Sequence, residues 1–120
     1  MTTLRWMTCG GDSNWCALEA VDLSKISTEG VYVIWHQGNP TRTVRVGQGS
    51  IAERLGEHRR DQAILAYQRF GSLRVTWAAA PASQLDGIER YLASRLSPLT
   101  GDAFPAAQPI PVNLPGALAA

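Results

Sequence analysis

Four side chains that suit phosphate chemistry follow one another in the first half of the chain. Tyr32 lies in the segment VYVIWH, and Arg45 lies in the segment RTVRVG that comes next. Arg54 and His58 are four residues apart on a predicted helix, so they share one face of that helix. An arginine fork binds phosphate oxygens in pairs, and tyrosine or histidine can transfer a proton. These residue types indicate a phosphate site, although a solvated basic face is the simpler alternative for the arginines alone.

Glu89 is the candidate metal ligand. It borders an apolar stripe on a later predicted helix, and its neighbours one turn away are Leu85 and Ala93. A carboxylate beside a core is costly unless it is paired or bound to a cation. One carboxylate, together with water and phosphate oxygens, makes an ordinary Mg²⁺ site. Mg²⁺ or Mn²⁺ is therefore the expected cofactor, and a glutamate paired with an arginine across space is the alternative.

A glycine-rich turn leads from the second predicted strand into a helix. The turn reads Gly47-Gln48-Gly49. Glycines let a backbone approach another group closely, and the free N–H groups at a helix N-terminus attract phosphate. We interpret these three residues, with Arg54, as phosphate-binding, and a plain strand-to-helix turn is an equal alternative.

Three segments predict the strands that position these residues. Residues 31–36, 42–47 and 73–80 are rich in β-branched and aromatic side chains. A tight turn at Gly38 and Asn39 would place Tyr32 directly opposite Arg45. A cation there would lower the pKa of the phenol and make it a better base. A plain Tyr–Arg stacking pair on a solvated face is the alternative.

Capping signals predict three helices between and after these strands. Ser50 with Glu53 forms a potential capping box, so a helix should begin at residue 51. Asp61 is expected to cap a second helix over residues 62–70, and Ser83 a third over residues 84–96. The order β-β-α-α-β-α predicts an α+β fold with a small three-stranded, mainly antiparallel sheet flanked by helices.

Composition limits the class of protein. The chain has 120 residues, 45% of them hydrophobic, which suits one compact domain. A net charge of +1 is weak for a protein that binds nucleic acid by electrostatics alone. No apolar run resembles a signal peptide or a membrane span. With only Cys9 and Cys16 present, we expect reduced thiols, no zinc site and a cytoplasmic protein without membrane contact.

The order of these motifs resembles the GIY-YIG nuclease superfamily. The segments Gly30-Val31-Tyr32 and Val46-Gly47 stand where the family has its two strand motifs, and Arg45 replaces the first tyrosine of the second motif. The remaining matched residues are Arg54, His58, Glu89 and Asn113. The resemblance implies a nuclease domain over residues 30–115. Residues 1–29 are then an extension packed on the domain, and residues 116–120 a disordered tail.

The resemblance also implies an activity, namely metal-dependent hydrolysis of phosphodiester bonds in DNA by an endonuclease. Glu89 would hold Mg²⁺ or Mn²⁺, and Tyr32 would be the general base for the attacking water. Arg54, assisted by Arg45, would neutralise the charge that develops on the phosphate. His58 and Asn113 would orient water and phosphate.

Two other functions stay open from the sequence. One is a catalytically silent module that keeps the fold and binds nucleic acid without cleaving it. The other is an accessory subunit that docks a protein partner through Trp6 and Trp15. For the nuclease itself, a protein partner or a homo-oligomer is a possible source of selectivity, because no separate DNA-reading motif is present.

Overall fold

The protein is described by a computed structural model that covers residues 2–11, 14–101 and 103–118. In this part of the chain, four strands form one sheet and three α-helices pack on its two faces. The expected α+β class is confirmed. No helix among the described residues is long and apolar enough to cross a membrane.

The sheet has one strand more than the sequence predicts. Its strands are β1 (Cys16–Ala17), β2 (Glu29–His36), β3 (Arg42–Ser50) and β4 (Leu73–Ala79). They lie in the order β1-β4-β2-β3, and every neighbouring pair is antiparallel. The expected three-stranded sheet is therefore wrong, because the prediction misses β1. The two residues of β1 are too few to give an alternating pattern.

The register of β2 and β3 differs from the prediction. Tyr32 lies opposite Gly47, and Arg45 lies opposite Ile34. The connection is longer by one residue, because His36 pairs with Arg42, and a bulge after Ile34 adds another. Beyond the bulge the two single shifts add to two residues, which keeps Tyr32 and Arg45 on one face, whereas the single shift before the bulge turns Val44 to the face of Tyr32. Tyr32 and Arg45 are thus diagonal neighbours on one face rather than a direct pair.

The helices begin close to where the sequence places them, but two of the three expected caps are absent. Helix α1 covers Ile51–His58, α2 covers Gln62–Leu65 and α3 covers Leu85–Leu96. The Asp61 side chain accepts a hydrogen bond from the Ala63 N–H at 2.9 Å, as expected. The Ser50 side chain makes no capping bond, and Ser83 lies inside a 3-10 turn that precedes α3. Residues 66–70 continue α2 as a 3-10 helix.

The sheet separates two apolar layers. Helices α1 and α2 cover the face that carries Tyr32, where Ile34, Leu55 and Ile64 are fully buried. Helix α3 covers the other face and buries Ile88. Strands β2, β3 and β4 are therefore packed on both faces, which fixes the positions of the side chains that they carry.

The N-terminal segment is part of the fold rather than an addition to it. Leu4 belongs to the α3-side core, and Thr2 forms a parallel bridge with Val112 near the other end of the chain. Gly116–Leu118 form a 3-10 turn, and the disorder expected over residues 116–120 stays a prediction. Residues 119 and 120 lie outside the described residues.

Cys9 and Cys16 form a disulfide, with their Cα atoms 5.0 Å apart. The expectation of two reduced thiols is therefore wrong for this structure. The bond closes the loop before β1 and holds that strand at the β4 edge, where Cys16 pairs with Val75. β1 therefore depends on the loop before it as well as on strand pairing.

Candidate active site

A polar cleft opens at the β3 edge of the sheet and gathers most of the residues that the sequence singles out. Its volume is about 440 Å³. Helix α1 lines one side through Arg54, Glu57 and His58, and α3 contributes Glu89. The side chains and backbone around it belong to Tyr32, Arg45, Gly47, Gln48, Arg54, Glu57, His58, Asp61 and Glu89.

The phenol of Tyr32 and the imidazole of His58 are in direct contact in this cleft. The Tyr32 hydroxyl lies 2.5 Å from His58 Nε2, and the two side chains are 2% and 8% exposed. Gly47 makes room for this contact, because a Cβ atom at that position would overlap the Tyr32 hydroxyl. The glycine opposite Tyr32 thus allows the phenol to reach across β3 toward α1.

Burial shifts both groups toward their neutral forms. It raises the pKa of Tyr32 above its ordinary 10.0, and the nearby Arg45 cation only opposes this rise. Burial, followed by the Arg45 cation, lowers the pKa of His58 below 6.5. The expected lowering of the Tyr32 pKa is therefore wrong in its net direction. Near neutral pH the pair consists of a phenol and an unprotonated imidazole.

Arg45 is fixed beside the cleft by the loop that follows α3. The Leu99 and Thr100 N–H groups donate to the carbonyls of Thr43 and Val44 at 3.1 and 2.9 Å, so this loop runs along the free edge of β3. Gly101 faces the Arg45 guanidinium closely, since a Cβ atom there would lie 3.1 Å from Nη1. Arg45 Nε is buried without a hydrogen-bond partner among the described residues. The guanidinium is held near the Tyr32–His58 pair.

Arg54 is the accessible cation of the cleft. It extends from α1 with half of its side chain exposed, 3.8 Å from the equally exposed Glu57. An exposed ion pair of this length contributes about 0–1 kcal/mol, so it does not hold Arg54 away from an anion. Gly49, at φ +122°, adopts a conformation that favours glycine and passes close to Arg54 Nε.

The glycine-rich turn leads into a helix whose first N–H group is not free to bind a phosphate. The first N–H of α1, that of Ile51, already donates to the carbonyl of Thr28 at 3.1 Å. Gly47 has a packing role against Tyr32, and Gly49 a conformational one. The phosphate-binding role of Gly47, Gln48 and Gly49 stays a prediction.

Glu89 reaches the cleft from α3 and is held by Gln48. The Gln48 Nε2 group donates to Glu89 Oε1 and to Asp86 Oδ1, each at 2.7 Å. Burial raises the pKa of Glu89 above 4.5, while the Gln48 hydrogen bond and the Arg45 cation oppose the rise. Glu89 is 8% exposed, whereas Asp86 lies on the exposed rim. Gln48 therefore fixes one carboxylate oxygen of Glu89.

The donor set at Glu89 fits a cation that keeps most of its water. Gln48 occupies Oε1, and Oε2 has no hydrogen-bond partner among the described residues. In that same part of the chain, no group of three or more His, Cys, Asp or Glu side chains is placed to hold a metal. A site with one protein carboxylate suits Mg²⁺, whose other positions are filled by water and substrate phosphate.

Asn113 is not part of the cleft. Its Oδ1 accepts from the Leu4 N–H at 2.6 Å, and its Nδ2 donates to the Leu4 carbonyl at 2.9 Å. The side chain ties the two ends of the chain together with both of its polar atoms. Asn113 is therefore not placed to orient water or phosphate in the cleft, and the amide that contacts Glu89 is that of Gln48.

The sequence reasoning also missed two acidic residues of the cleft. Glu57 lies one residue before His58, and Asp61 caps α2, so both enter the cleft wall beside known candidates. Their positions near His58 in the chain were the available signal.

Comparison with models of known protein families, with curated proteins and with solved structures finds no match for this chain.

Proposed function

We propose that the protein is a metal-dependent endonuclease that hydrolyses phosphodiester bonds in DNA, in the manner of the GIY-YIG nucleases that its motifs resemble. One observation carries the proposal. The buried Tyr32–His58 contact opens onto a cleft that also holds two arginines and the carboxylate of Glu89. A proton acceptor, cations for a phosphate and a carboxylate for a metal are the parts that such a reaction needs.

The proton of the attacking water passes to the Tyr32–His58 pair. His58, unprotonated because burial and Arg45 lower its pKa, accepts the phenol proton at Nε2. The Tyr32 oxygen takes a proton from water as that water attacks phosphorus. Both pKa shifts disfavour a resting phenolate beside an imidazolium, so the phenol proton moves to His58 as the Tyr32 oxygen takes the proton of the attacking water.

The two arginines bind the phosphate from different directions. Arg54, half exposed on α1, meets a phosphate oxygen through its guanidinium fork. Arg45, held beside the loop after α3, lines the cleft with its guanidinium. One well-placed donor of this kind contributes about 100- to 1,000-fold to rate.

Glu89 would hold the Mg²⁺ or Mn²⁺ ion through Oε2, while Gln48 keeps Oε1 in place. The bound cation would stabilise negative charge on the phosphate oxygens and on the leaving group. Gln48 thus acts as a positioning residue, because its second bond to Asp86 fixes its amide on the surface of α3.

Removing the Tyr32 hydroxyl tests the proposal. We expect Tyr32→Phe to lower the nicking rate of supercoiled plasmid in Mg²⁺ or Mn²⁺ by about 100-fold or more, because the proton path is gone. Binding of an uncleaved duplex in EDTA should stay within a few fold of the wild type. Tyr91→Phe is the matched control, because it removes a phenol hydroxyl from α3 outside the cleft, and it should cleave normally.

The result also separates the alternatives. Wild-type protein that binds DNA but does not nick it in either metal would support a silent binding module. Wild-type protein that neither binds nor cleaves DNA would leave the accessory-subunit interpretation. Cleavage that persists at full rate in Tyr32→Phe would show that another group is the base.

A further inference from the structure

An aromatic platform lies on the same sheet face as Tyr32, at the C-terminal end of β2. It consists of His36, Tyr67 and Phe70. The His36 ring is 6.3 Å from the Tyr67 ring and 5.4 Å from the Phe70 ring, centre to centre, in stacked geometry. His36 is 5% exposed, whereas Phe70 is 50% exposed. The buried part of the platform supports a ring that faces solvent.

The platform is rigidly built. Gly38 and Gly71 let the β2–β3 connection and the segment before β4 pack backbone to backbone, since a Cβ atom on Gly38 would lie 2.7 Å from the Phe70 carbonyl oxygen. The Gln37 N–H donates to the Ser72 carbonyl at 3.0 Å, and the Gly38 N–H donates to His36 Nδ1 at 3.1 Å. These contacts fix the position of Phe70 relative to the sheet.

The surroundings of Phe70 are basic. The segments 36–42 and 67–74 contain Arg42, Arg69 and Arg74 and no aspartate or glutamate. The Arg69 guanidinium lies over the Phe70 ring, 4.9 Å from its centre. One exposed apolar side chain is ordinary on a protein surface. An exposed ring with an arginine on it, between two segments without acidic residues, matches the aromatic and guanidinium stacking that unpaired bases use.

The platform is placed to hold DNA that enters the cleft. Tyr32 and His36 are four residues apart on β2, which is about 13 Å along the strand, and they face the same side of the sheet. A few nucleotides span that distance. A cavity of about 850 Å³ opens beside the platform, with Gln68 and Gly71 in its wall together with the cations of Arg59 and Arg74 and the one carboxylate of Glu19, so a strand leaving the platform has room to continue.

We propose that Phe70 and Arg69 stack an unpaired base of the DNA substrate, so that the protein prefers duplexes with a single-stranded extension near the scissile phosphate. This inference rests on the proposed nuclease function for its substrate. It accounts for selectivity in a chain whose net charge of +1 gives little sequence-independent affinity.

Binding in EDTA tests the platform without cleavage. The probes are one fluorescein-labelled duplex with blunt ends and the same duplex with a single-stranded overhang on the 3′ or 5′ side. The wild type should bind at least one overhang probe more tightly than the blunt one. Phe70→Ala and Phe70→Leu should each weaken that binding by at least about fivefold, because base stacking on an aromatic ring is lost. Phe70→Tyr keeps a ring and should bind like the wild type.

Met7→Ala is the matched control, because Met7 is an exposed apolar residue away from the platform, 39% accessible. It should leave overhang binding unchanged, and all variants should bind the blunt duplex alike. Equal binding of blunt and overhang probes by the wild type would overturn the inference. Full affinity of Phe70→Leu for the overhang probe would also overturn it. If Phe70→Ala lost self-association together with DNA binding, Phe70 would act in a contact between protein copies, and the inference would again be overturned. Overhang binding that depends on Phe70 in a protein that does not nick plasmid would keep this inference and reject the nuclease.

Discussion

His58 makes the stability of the protein depend on pH. Burial beside Tyr32 lowers its pKa below 6.5, so the folded state disfavours the imidazolium that the unfolded chain forms freely. Its contribution to stability is present above pH 6.5 and is lost as pH falls through the lowered value. One proton taken up on unfolding changes the free energy of unfolding by at most about 1.4 kcal/mol per pH unit.

Comparison with His58→Gln isolates this effect. Between about pH 8 and about pH 5, the free energy of unfolding of the wild type should fall more than that of the variant, because glutamine takes up no proton. Urea unfolding at each pH measures the difference. The raised pKa of Glu89 gives a slope of opposite sign, but it is common to both proteins. Equal pH slopes for the two proteins would mean that His58 is protonated freely in the folded state.

The sequence identified the residues of the site that act through local spacing, and it failed where partners are distant. Arg54 and His58 lie on one helix face, so their spacing predicted that they meet. Gln48 and Glu89 are 41 residues apart, and Asn113 and Leu4 are 109 apart. No local pattern indicates which distant backbone or carboxylate an amide will meet, so the place of Asn113 was predicted wrongly and the contact of Gln48 with Glu89 was not predicted.

At the scale of elements, the β2–β3 pair decides whether the phenol reaches α1. Gly47→Ala should lower the nicking rate strongly and destabilise the protein by about 1–3 kcal/mol, because a Cβ atom there overlaps the buried Tyr32 hydroxyl. Gly56→Ala on α1 is the matched control. Its new Cβ atom would lie 3.7 Å from Leu23, an ordinary contact, and should stabilise the helix by about 0.5–1 kcal/mol.

Thermal unfolding and plasmid nicking measure both effects. A Gly47→Ala protein with wild-type stability and wild-type cleavage would contradict the role given to the close approach of Tyr32. The register behind that approach was not predictable, because loop length and a bulge each moved it by one residue. The shared face of Tyr32 and Arg45 was predictable, because the two shifts add to one strand period, whereas the face of Val44 was not.

At the scale of the whole molecule, the N-terminal part is joined to the fold by the Cys9–Cys16 disulfide. Closing a loop of this length stabilises a protein by about 2–3 kcal/mol in the chain-entropy model. Cys9→Ala should lose about that much free energy of unfolding. Reductant should lower the stability of the wild type to that of the variant and leave the stability of the variant unchanged. Nicking should survive, because β1 lies at the edge of the sheet opposite β3. Two free thiols in the native, unreduced protein would contradict the bond.

The disulfide also bears on where the protein works. Such bonds are typical of oxidising compartments, so the cytoplasmic location expected from the sequence stays a prediction that this bond does not favour. Two cysteines seven residues apart gave no sign of pairing, because the loop between them brings them together only when β1 joins the sheet. The α+β class was predictable from strand and helix patterns, whereas the part played by the N-terminus was not.

The central claim is that Glu89 holds the metal for phosphodiester hydrolysis. Nicking of supercoiled plasmid across a titration of Mg²⁺ tests it most directly, with Glu89→Gln compared with Asp86→Asn. Both carboxylates accept from the same Gln48 amide, but only Glu89 lines the cleft. The account predicts at least about a 100-fold loss of rate for Glu89→Gln, since the amide carries no charge for the cation, and a rate within a few fold of the wild type for Asp86→Asn. Wild-type nicking by folded Glu89→Gln, or an equal loss in Asp86→Asn, would contradict it.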